Sequence, residues 1–409
     1  MKKQPLSSLN AQLGHWAEYV NTYTTMMEEQ GFASRSIQDQ IRVITRFIGW
    51  LQRMQIEVCS LDETIVHRFL RYRPNASGAR HGDRAALDRF LQMLRNQGTT
   101  PAQKQPKTPL SPKQRLISNY ERYLLEQRGL TKATVRNYVA VVEYFLSTRL
   151  QQQSLNFRRL RAPDITSFVQ HRVHKLRPKS AYLLLTGLRS FLRYLQHQGK
   201  LRTNLAVCVP SVARWSFAEV PKFLPAGSVR RVLQRTKGRT PVHRRDYAIL
   251  LLLSRLGVRA SAIVGLNLED IDWEGARITI REKGGYRPQV PLPADVGEAI
   301  AEYLRHGRPC SPCRRVFLRD RAPRRGLANR RSVSSVVMRA LARAGVDSAC
   351  KGAHLLRHSL ATDMIRHGAS LDEIGNLLGH RSPETTMIYA KVDLHGLRTL
   401  ALSWPGGAR

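Results

Sequence analysis

The sequence predicts a mainly α-helical protein in which two helical modules precede a mixed α+β domain with a small antiparallel sheet. Three observations lead to this fold class. Apolar residues recur at helical spacing through the first half of the chain, that pattern occurs twice, and two short strand-like runs flank a Gly-Gly pair at residues 284–285. With 409 residues the chain has room for two or three domains.

The two helical modules repeat one pattern. Gly31 precedes an apolar stripe at i, i+3, i+4 spacing, and Gly129 precedes a second stripe, with Phe145 as far beyond Gly129 as Phe47 is beyond Gly31. Each module then closes with a second matched helix that ends at a glycine. A duplicated helical unit therefore accounts for the first half of the chain.

The last part of the chain changes from helical to strand-like and back. Ser228 is a typical N-cap residue and opens a helical pattern. The runs 277–281 and 289–292 flank the Gly-Gly pair and predict a β-hairpin, and helical spacing resumes near Ser332. This part is therefore expected to be mostly helical with a small antiparallel sheet.

These patterns divide the chain into five segments. A stretch with four prolines and few apolar residues separates the two modules and is typical of an extended linker. The expected segments are a first helical module (1–98), a Pro-rich linker (99–112), a second helical module (113–206), a second linker (207–227) and the mixed domain with a C-terminal tail (228–409).

The charge of the chain favours a nucleic-acid partner. There are 67 Lys and Arg residues against 30 Asp and Glu, a formal net charge of +37. Double-stranded DNA is the expected partner, because each phosphate that a cation neutralises releases condensed counterions. The apolar run 247–253 is much shorter than the roughly 20 residues that cross a bilayer. Residues 1–13 lack a signal-peptide pattern. No membrane association and a cytoplasmic location are therefore expected.

The cysteines do not indicate a disulfide framework or a metal site. There are five, an odd and scattered set. Cys310 and Cys313 form a C-x-x-C motif, but a structural zinc site needs four ligands and no second pair lies nearby. We interpret them as free thiols and expect no metal and no cofactor. The chain also lacks the G-x-x-x-x-G-K-[ST] loop of nucleotide-binding proteins.

The stretch that carries reactive chemistry lies near the C-terminus. His354 and Arg357, at i and i+3, share one face of a predicted helix, and this pairs a proton carrier with a permanent cation. Leu-Gly-His380 follows, and Tyr389 stands nine residues beyond that histidine. An isolated tyrosine is more often a packing residue, and H-x-x-R alone is common. The combination is what suggests phosphodiester chemistry.

These motifs resemble the C-terminal signature of the tyrosine recombinase, or phage integrase, family. H-x-x-R, L-G-H and the tyrosine occur in the family's order over a resemblance that spans roughly residues 112–395. The resemblance identifies the helical modules as core-binding-like (SAM-like) and residues 228–409 as the catalytic domain. The site residues that it implies are Arg259, Lys283, His354, Arg357, His380 and Tyr389.

One of these positions has alternatives, and one neighbouring position departs from the family. Lys283 matches the family's hairpin lysine, although Arg281 or Arg287 is an alternative for that place. Ala262 stands three residues after Arg259, where relatives carry an acid that helps to hold this arginine.

Each site residue has an expected role. Arg259 and Arg357 would grip the nonbridging oxygens of the scissile phosphate, where charge develops. Tyr389 would be the nucleophile, and His354 is the candidate base that activates it. The resemblance implies that Lys283 protonates the leaving 5′ oxygen and that His380 donates a hydrogen bond to the phosphate. Neither ATP nor a metal ion is needed.

The expected function is a site-specific recombinase or integrase of a mobile element that works through a 3′-phosphotyrosyl intermediate. The alternatives are a catalytically impaired DNA-binding accessory subunit and a type IB topoisomerase. The family implies a homo-tetramer on DNA, or assembly with sibling recombinases, and an apolar tail at 394–402 that docks into a neighbouring protomer. Basic segments at 132–138 and 179–193 are expected to face DNA. For residues 1–98, DNA and a partner protomer remain equal alternatives.

Overall fold

The fold is mainly helical, as the sequence predicts. The computed structural model describes residues 13–72, 82–102, 111–149, 157–211, 220–281, 285, 287–380 and 382–392. By internal contacts the chain forms two units, one made of Met1–Gln103 with Glu219–Arg409 and the other of Lys104–Ala218. The finer division into five segments stays a prediction.

The first module is a cluster of four helices around an aromatic core. Tyr23 and Phe90 meet edge to face with ring centroids 5.7 Å apart, and the rings of Phe47 and Trp50 stack at 6.2 Å. Arg95 makes a two-pronged ion pair with Glu63, with distances of 2.8 and 2.9 Å. The helices are α1 (Ala17–Glu29), α2 (Ser34–Arg53), α3 (Glu63–Tyr72) and α4 (Asp83–Asn96).

The second module repeats this four-helix plan. Ser111 caps its first helix through a capping box with Gln114, which satisfies two backbone donors at the helix start. Its core is again aromatic, and Phe145 contacts Phe168 edge to face with ring centroids 5.0 Å apart. The helices are α5 (Pro112–Arg122), α6 (Lys132–Arg149), α7 (Ala162–Val173) and α8 (Pro178–His197).

The mixed domain that follows the second module is built around one buried helix. Its apolar run from Ala248 to Leu253 is buried on all sides, because neighbouring helices cover it and the sheet adds to the same core. The first helix of the domain begins directly after Pro225, not at Ser228 as predicted, because the fixed φ of proline marks the boundary. The helices are α9 (Ala226–Thr236), α10 (Pro241–Arg255), α11 (Ala260–Gly265), α12 (Ala294–His306), α13 (Arg330–Arg343), α14 (His354–Arg366), α15 (Leu371–Leu378) and α16 (Pro383–Thr386).

The sheet is small and antiparallel, in the order β1 (Ile271–Asp272), β2 (Arg277–Thr279) and β3 (Gln289–Pro291). Ile278 pairs with Ile271 on one side and with Val290 on the other. The predicted hairpin is therefore present. Its Lys283 lies outside the described residues.

A buried ionic cluster ties α10 to α13. Asp246 is fully buried, and its carboxylate accepts hydrogen bonds from Arg245 at 2.8 Å and from Arg339 at 3.1 Å. Breaking a buried pair by removing one partner is costly, since a charge is left uncompensated. The cluster therefore fixes α13 against α10, the helix that leads into the Gly257 turn of the site.

The described residues contain no helix that is long and apolar enough to cross a membrane. All five cysteines are free thiols. Within the same described part of the chain, no group of three or more His, Cys, Asp or Glu side chains is arranged to hold a metal ion.

Candidate active site

The site is assembled at a tight turn between α10 and α11. Gly257 has a positive φ of 59°, and a side chain there would collide with Leu378 at the end of α15. Only glycine tolerates both the backbone conformation and this close approach. The end of α15 therefore packs directly against this turn, and Arg259 follows two residues after Gly257.

Arg357 lies at the centre of this arrangement. It extends from α14, is only 4% exposed, and donates hydrogen bonds to the backbone carbonyls of Gly257 and Leu378, the latter at 2.6 Å. A guanidinium held by two carbonyls at fixed positions keeps one orientation. Arg357 therefore links the Gly257 turn, α14 and the end of α15.

Arg259 approaches the same helix end from the other side of the turn. Its Nη2 donates to the carbonyl of Gly379, 3.3 Å away, and Gly379 ends α15 in the left-handed conformation. The C-terminal end of a helix carries partial negative charge and attracts cations. Two guanidiniums therefore converge on one spot, an arrangement suited to holding an anion with two nonbridging oxygens.

Tyr389 lies in the short 3-10 helix Met387–Val392 that follows α16, and it is 1% exposed. Burial raises the pKa of its hydroxyl to about 12, while Arg357 and Arg259 oppose that rise. The hydroxyl is thus neutral at physiological pH, and the two cations are the groups that favour its ionised form.

The hydrogen-bond partner of Tyr389 is His358, a residue that the sequence reasoning missed. Nδ1 of His358 lies 2.8 Å from Oη of Tyr389. Burial, with the neighbouring His354 and Arg357, lowers the pKa of His358 to about 4. The imidazole is therefore neutral above pH 5, and its Nδ1 is able to accept the tyrosine proton in a hydrogen bond.

A sequence signal for His358 was present. It directly follows Arg357 and stands four residues after His354, so both imidazoles lie on one face of α14 with ring centroids 6.2 Å apart. The H-x-x-R motif includes His354 but not His358, and it therefore predicted His354 alone. That histidine, His354, is exposed at the first turn of α14.

His380 is the second histidine beside the tyrosine ring. The two rings are nearly parallel, at 3°, with centroids 6.5 Å apart, and Nδ1 of His380 lies 2.7 Å from Oγ1 of the buried Thr386. Burial first, then Arg357 and Arg259, lowers the pKa of His380 to about 4. If Nδ1 accepts from Thr386, Nε2 carries the hydrogen and is a donor.

An ion pair of Arg281 bears on which hairpin residue is the candidate proton donor. Arg281 donates through Nε and Nη2 to the carboxylate of Asp270, with a shortest distance of 2.8 Å, and this pairing raises its pKa. Because its guanidinium is engaged in this way, Arg281 is a weaker candidate than Lys283 for donating a proton to a leaving group. The structure describes no contact for Arg287 that would favour it.

Ala262 is 3% exposed and packs in the apolar core of the domain. No acid is therefore available at that position to hold Arg259. Its guanidinium instead reaches the carbonyl of Gly379. In this chain a backbone oxygen holds the arginine.

Comparison with known proteins identifies the family of the chain. Residues 222–395 match the phage integrase family, and residues 117–199 match the N-terminal SAM-like domain of phage integrases. The putative integrase/recombinase y4rA of Sinorhizobium fredii is 42% identical over 396 residues, which covers 97% of this chain and 96% of that protein. The chain belongs to the phage integrase family.

Other phage integrase relatives agree in sequence and in fold. The tyrosine recombinase XerD of Mycobacterium tuberculosis is 31% identical over 310 residues, which covers 71% of this chain and 96% of that one. The crystal structure of the XerH site-specific recombinase, in a post-cleavage complex with its palindromic difH substrate, is similar in fold with a TM-score of 0.57. The two are 19% identical, and the match covers 82% of this chain and 93% of XerH. The family and the fold class expected from the residues are both confirmed.

Proposed function

We propose that this tyrosine recombinase breaks and rejoins DNA strands through a covalent 3′-phosphotyrosyl bond to Tyr389, in the service of a mobile element in the cytoplasm. The observation that carries the proposal is the surroundings of Tyr389. A neutral imidazole lies at hydrogen-bond distance from its hydroxyl, and two arginines converge beside it. The post-cleavage DNA complex of XerH supports the same reaction.

The reaction proposed for the site conserves bond energy. Oη of Tyr389 attacks phosphorus as the bond to the 5′ oxygen breaks, and Lys283 supplies the proton that the leaving oxygen needs. The tyrosine proton leaves to the imidazoles of α14: Oη is hydrogen-bonded to Nδ1 of His358, and His354, the proposed base, adjoins that ring with centroids 6.2 Å apart. The reverse reaction, with a 5′-hydroxyl of the partner strand as nucleophile, joins the strands and frees the tyrosine. No ATP and no metal ion take part in these steps.

The cations supply most of the stabilisation in this scheme. Arg259 and Arg357 hold the nonbridging oxygens, and His380 adds a further hydrogen-bond donor. Removing one such donor from a preorganised site typically costs about 3–4 kcal/mol in the transition state. To reach phosphate oxygens, both guanidiniums exchange backbone carbonyls for stronger, charged acceptors.

Assembly on DNA belongs to the same proposal. We place the active form as a tetramer on two duplexes, either of this chain alone or with sibling recombinases. A cavity of about 190 Å³ in the catalytic domain is lined by apolar side chains, among them Leu224, Val229, Leu233 and Leu360, with polar side chains such as Arg230 and Asp363 beside them. Its size and lining suit leucine side chains of the 394–402 segment of a neighbouring protomer. Deleting residues 394–409 should weaken cooperative assembly, and an unchanged gel-shift pattern would count against this.

The test of the reaction uses nicked duplexes from the ends of the genetic element that encodes the protein. Wild-type and Tyr389→Phe proteins are incubated with them without magnesium, and SDS-resistant adducts are sought. The nick lets the short 5′-hydroxyl fragment diffuse away and traps the intermediate. An adduct in the wild type only, with a nucleotide mapped to Tyr389, supports the proposal. Tight binding without an adduct, even with sibling proteins added, favours the accessory subunit, for which Ala262 is the motivating observation.

A further inference from the structure

The first helical module carries a line of arginines along one helix. Arg35, Arg42, Arg46 and Arg53 of α2 follow one another at spacings of 7, 4 and 7 residues, and all four are exposed. At 3.6 residues per turn they lie within about 40° of arc, in a line about 27 Å long. The opposite face of α2 is buried in the core of the module through residues such as Ile44. We call these four residues the arginine stripe.

The stripe is poorly neutralised by its surroundings. Among the described residues, no carboxylate forms an ion pair with Arg35 or Arg46. Arg42 pairs with Asp39 at 3.2 Å, but both side chains are about half exposed, at 60% and 47%, and such surface pairs contribute little. Arg53 donates to the carbonyl of Gly49 within its own helix. The stripe therefore presents positive charge to solvent.

Other arginines of the module behave differently. Arg95 makes its two-pronged ion pair with Glu63, and Arg89 donates to the side-chain oxygen of Gln40 at 2.5 Å. These side chains hold helices together. The stripe arginines make no bond between helices that the structure describes, so the stability of the module does not account for them.

The second module lacks the stripe. In the register of the repeat, Ala133, Ala140 and Tyr144 of α6 correspond to Arg35, Arg42 and Arg46. The two alanines are exposed, so the same face is open in both copies and only the first copy carries arginines there. A shared fold does not require charge on this face. The arginines thus point to a contact that this face makes in the first module and not in the second.

We propose that the arginine stripe binds the phosphate backbone of double-stranded DNA, which gives the first module a DNA contact of its own, in addition to those expected of the second module and the catalytic domain. At about 27 Å, the stripe spans about four fifths of one helical turn of DNA, which is roughly 34 Å. Guanidiniums bind phosphate oxygens through two parallel hydrogen bonds. The contact is sequence-independent and lengthens the stretch of DNA that one protomer covers.

The experiment measures the salt dependence of DNA binding by the full-length protein. The stripe variant is Arg35→Gln/Arg46→Gln, and the matched control is Arg71→Gln/Arg84→Gln, which removes two exposed arginines from α3 and α4. Glutamine preserves helix propensity, and thermal unfolding verifies that both variants fold. The probe is a linear duplex of random sequence, because the proposed contact does not read bases.

The expected result is a smaller slope of log K against log salt. Each lost phosphate contact lowers that slope by about 0.9, so the stripe variant should lose about 2 while the control keeps the wild-type slope. Equal slopes for wild type and stripe variant would overturn the proposal. So would an unchanged slope with weaker self-association in sedimentation, which would make a second protomer the partner of the stripe.

This test is independent of the cleavage chemistry. Adduct formation on nicked duplexes is measured in parallel with the same proteins. If the wild type forms no adduct but the slope still falls in the stripe variant, the recombinase mechanism fails and the stripe proposal stands. If adducts form and the slope does not change, the opposite holds.

Discussion

The hydrogen bond between His358 and Tyr389 offers a direct test of the site. Replacing His358 by Phe keeps a ring of similar size but removes the acceptor 2.8 Å from Oη. The tyrosine is 1% exposed, so water cannot simply replace the lost partner. A buried hydroxyl left without its partner costs about 1–3 kcal/mol. The Tyr389 ring is then expected to shift to a position where its hydroxyl forms another hydrogen bond.

That cost converts into a rate. At 1.36 kcal/mol for each factor of ten, a loss of about 1–3 kcal/mol lowers the population of the attacking geometry by about 5- to 150-fold. We therefore expect His358→Phe to slow single-turnover adduct formation on the nicked duplex to this extent. DNA affinity should be unchanged, because Tyr389 and His358 are not surface cations.

Two further substitutions separate positioning from loss of fold. His358→Asn places a side-chain oxygen close to where Nδ1 stood and should restore most of the rate, whereas His358→Gln places its polar atoms near Nε2 and should not. His367→Phe, at an exposed histidine just beyond the end of α14, is the matched control and should behave as the wild type. Adduct formation by His358→Phe at the wild-type rate, with DNA affinity and thermal stability retained, would refute the reasoning.

Three other predictions follow from the same region. Burial lowers the pKa values of His358 and His380 from 6.5 to about 4. Between pH 4 and 6.5 these two histidines are therefore protonated in the unfolded chain and neutral in the folded chain. Stability should fall as the pH drops from about 6.5 to 4, and a His358→Asn/His380→Asn variant should show a smaller change in Tm across this window; an unchanged dependence would contradict the burial argument. Asp270→Asn removes the charged partner of Arg281, which follows β2 and precedes Lys283, and should slow cleavage about 10- to 150-fold, given about 1.5–3 kcal/mol for such hydrogen bonds. A substrate with a 5′-bridging sulfur, whose leaving group departs without a proton, should restore the rate, and failure to do so would separate Asp270 from proton donation. Ala262→Glu should lower stability by about 1–3 kcal/mol without increasing adduct formation, because the position is buried and a carbonyl already holds the nearby arginine; a gain in adduct would show that the acid is needed.

Much of the fold follows from local sequence. Helices form where apolar residues recur at helical spacing, and the repeated stripes that begin after Gly31 and Gly129 correspond to α2 and α6. The hairpin strands form where the strand-like runs flank Gly-Gly. The start of α9 was predicted wrongly at Ser228, because helix boundaries depend on the neighbouring proline as well as on the cap.

The motif residues were likewise readable from their order and spacing. Order alone names which side chains carry chemistry, because the reactive types are few and their spacing within one helix is fixed. Order and spacing therefore predicted Arg357 and Tyr389 as site residues, but they did not predict the hydrogen-bond partners of either side chain.

Only the tertiary structure decided those partners. The carbonyls that hold Arg357 belong to residues 100 and 21 positions away, and His358 meets a tyrosine 31 positions along the chain. Packing also decided that the arginine stripe faces solvent, since helical spacing shows that four side chains share a face but not which face is covered. Contacts between distant segments depend on how helices pack, and neither local propensity nor motif spacing encodes that packing.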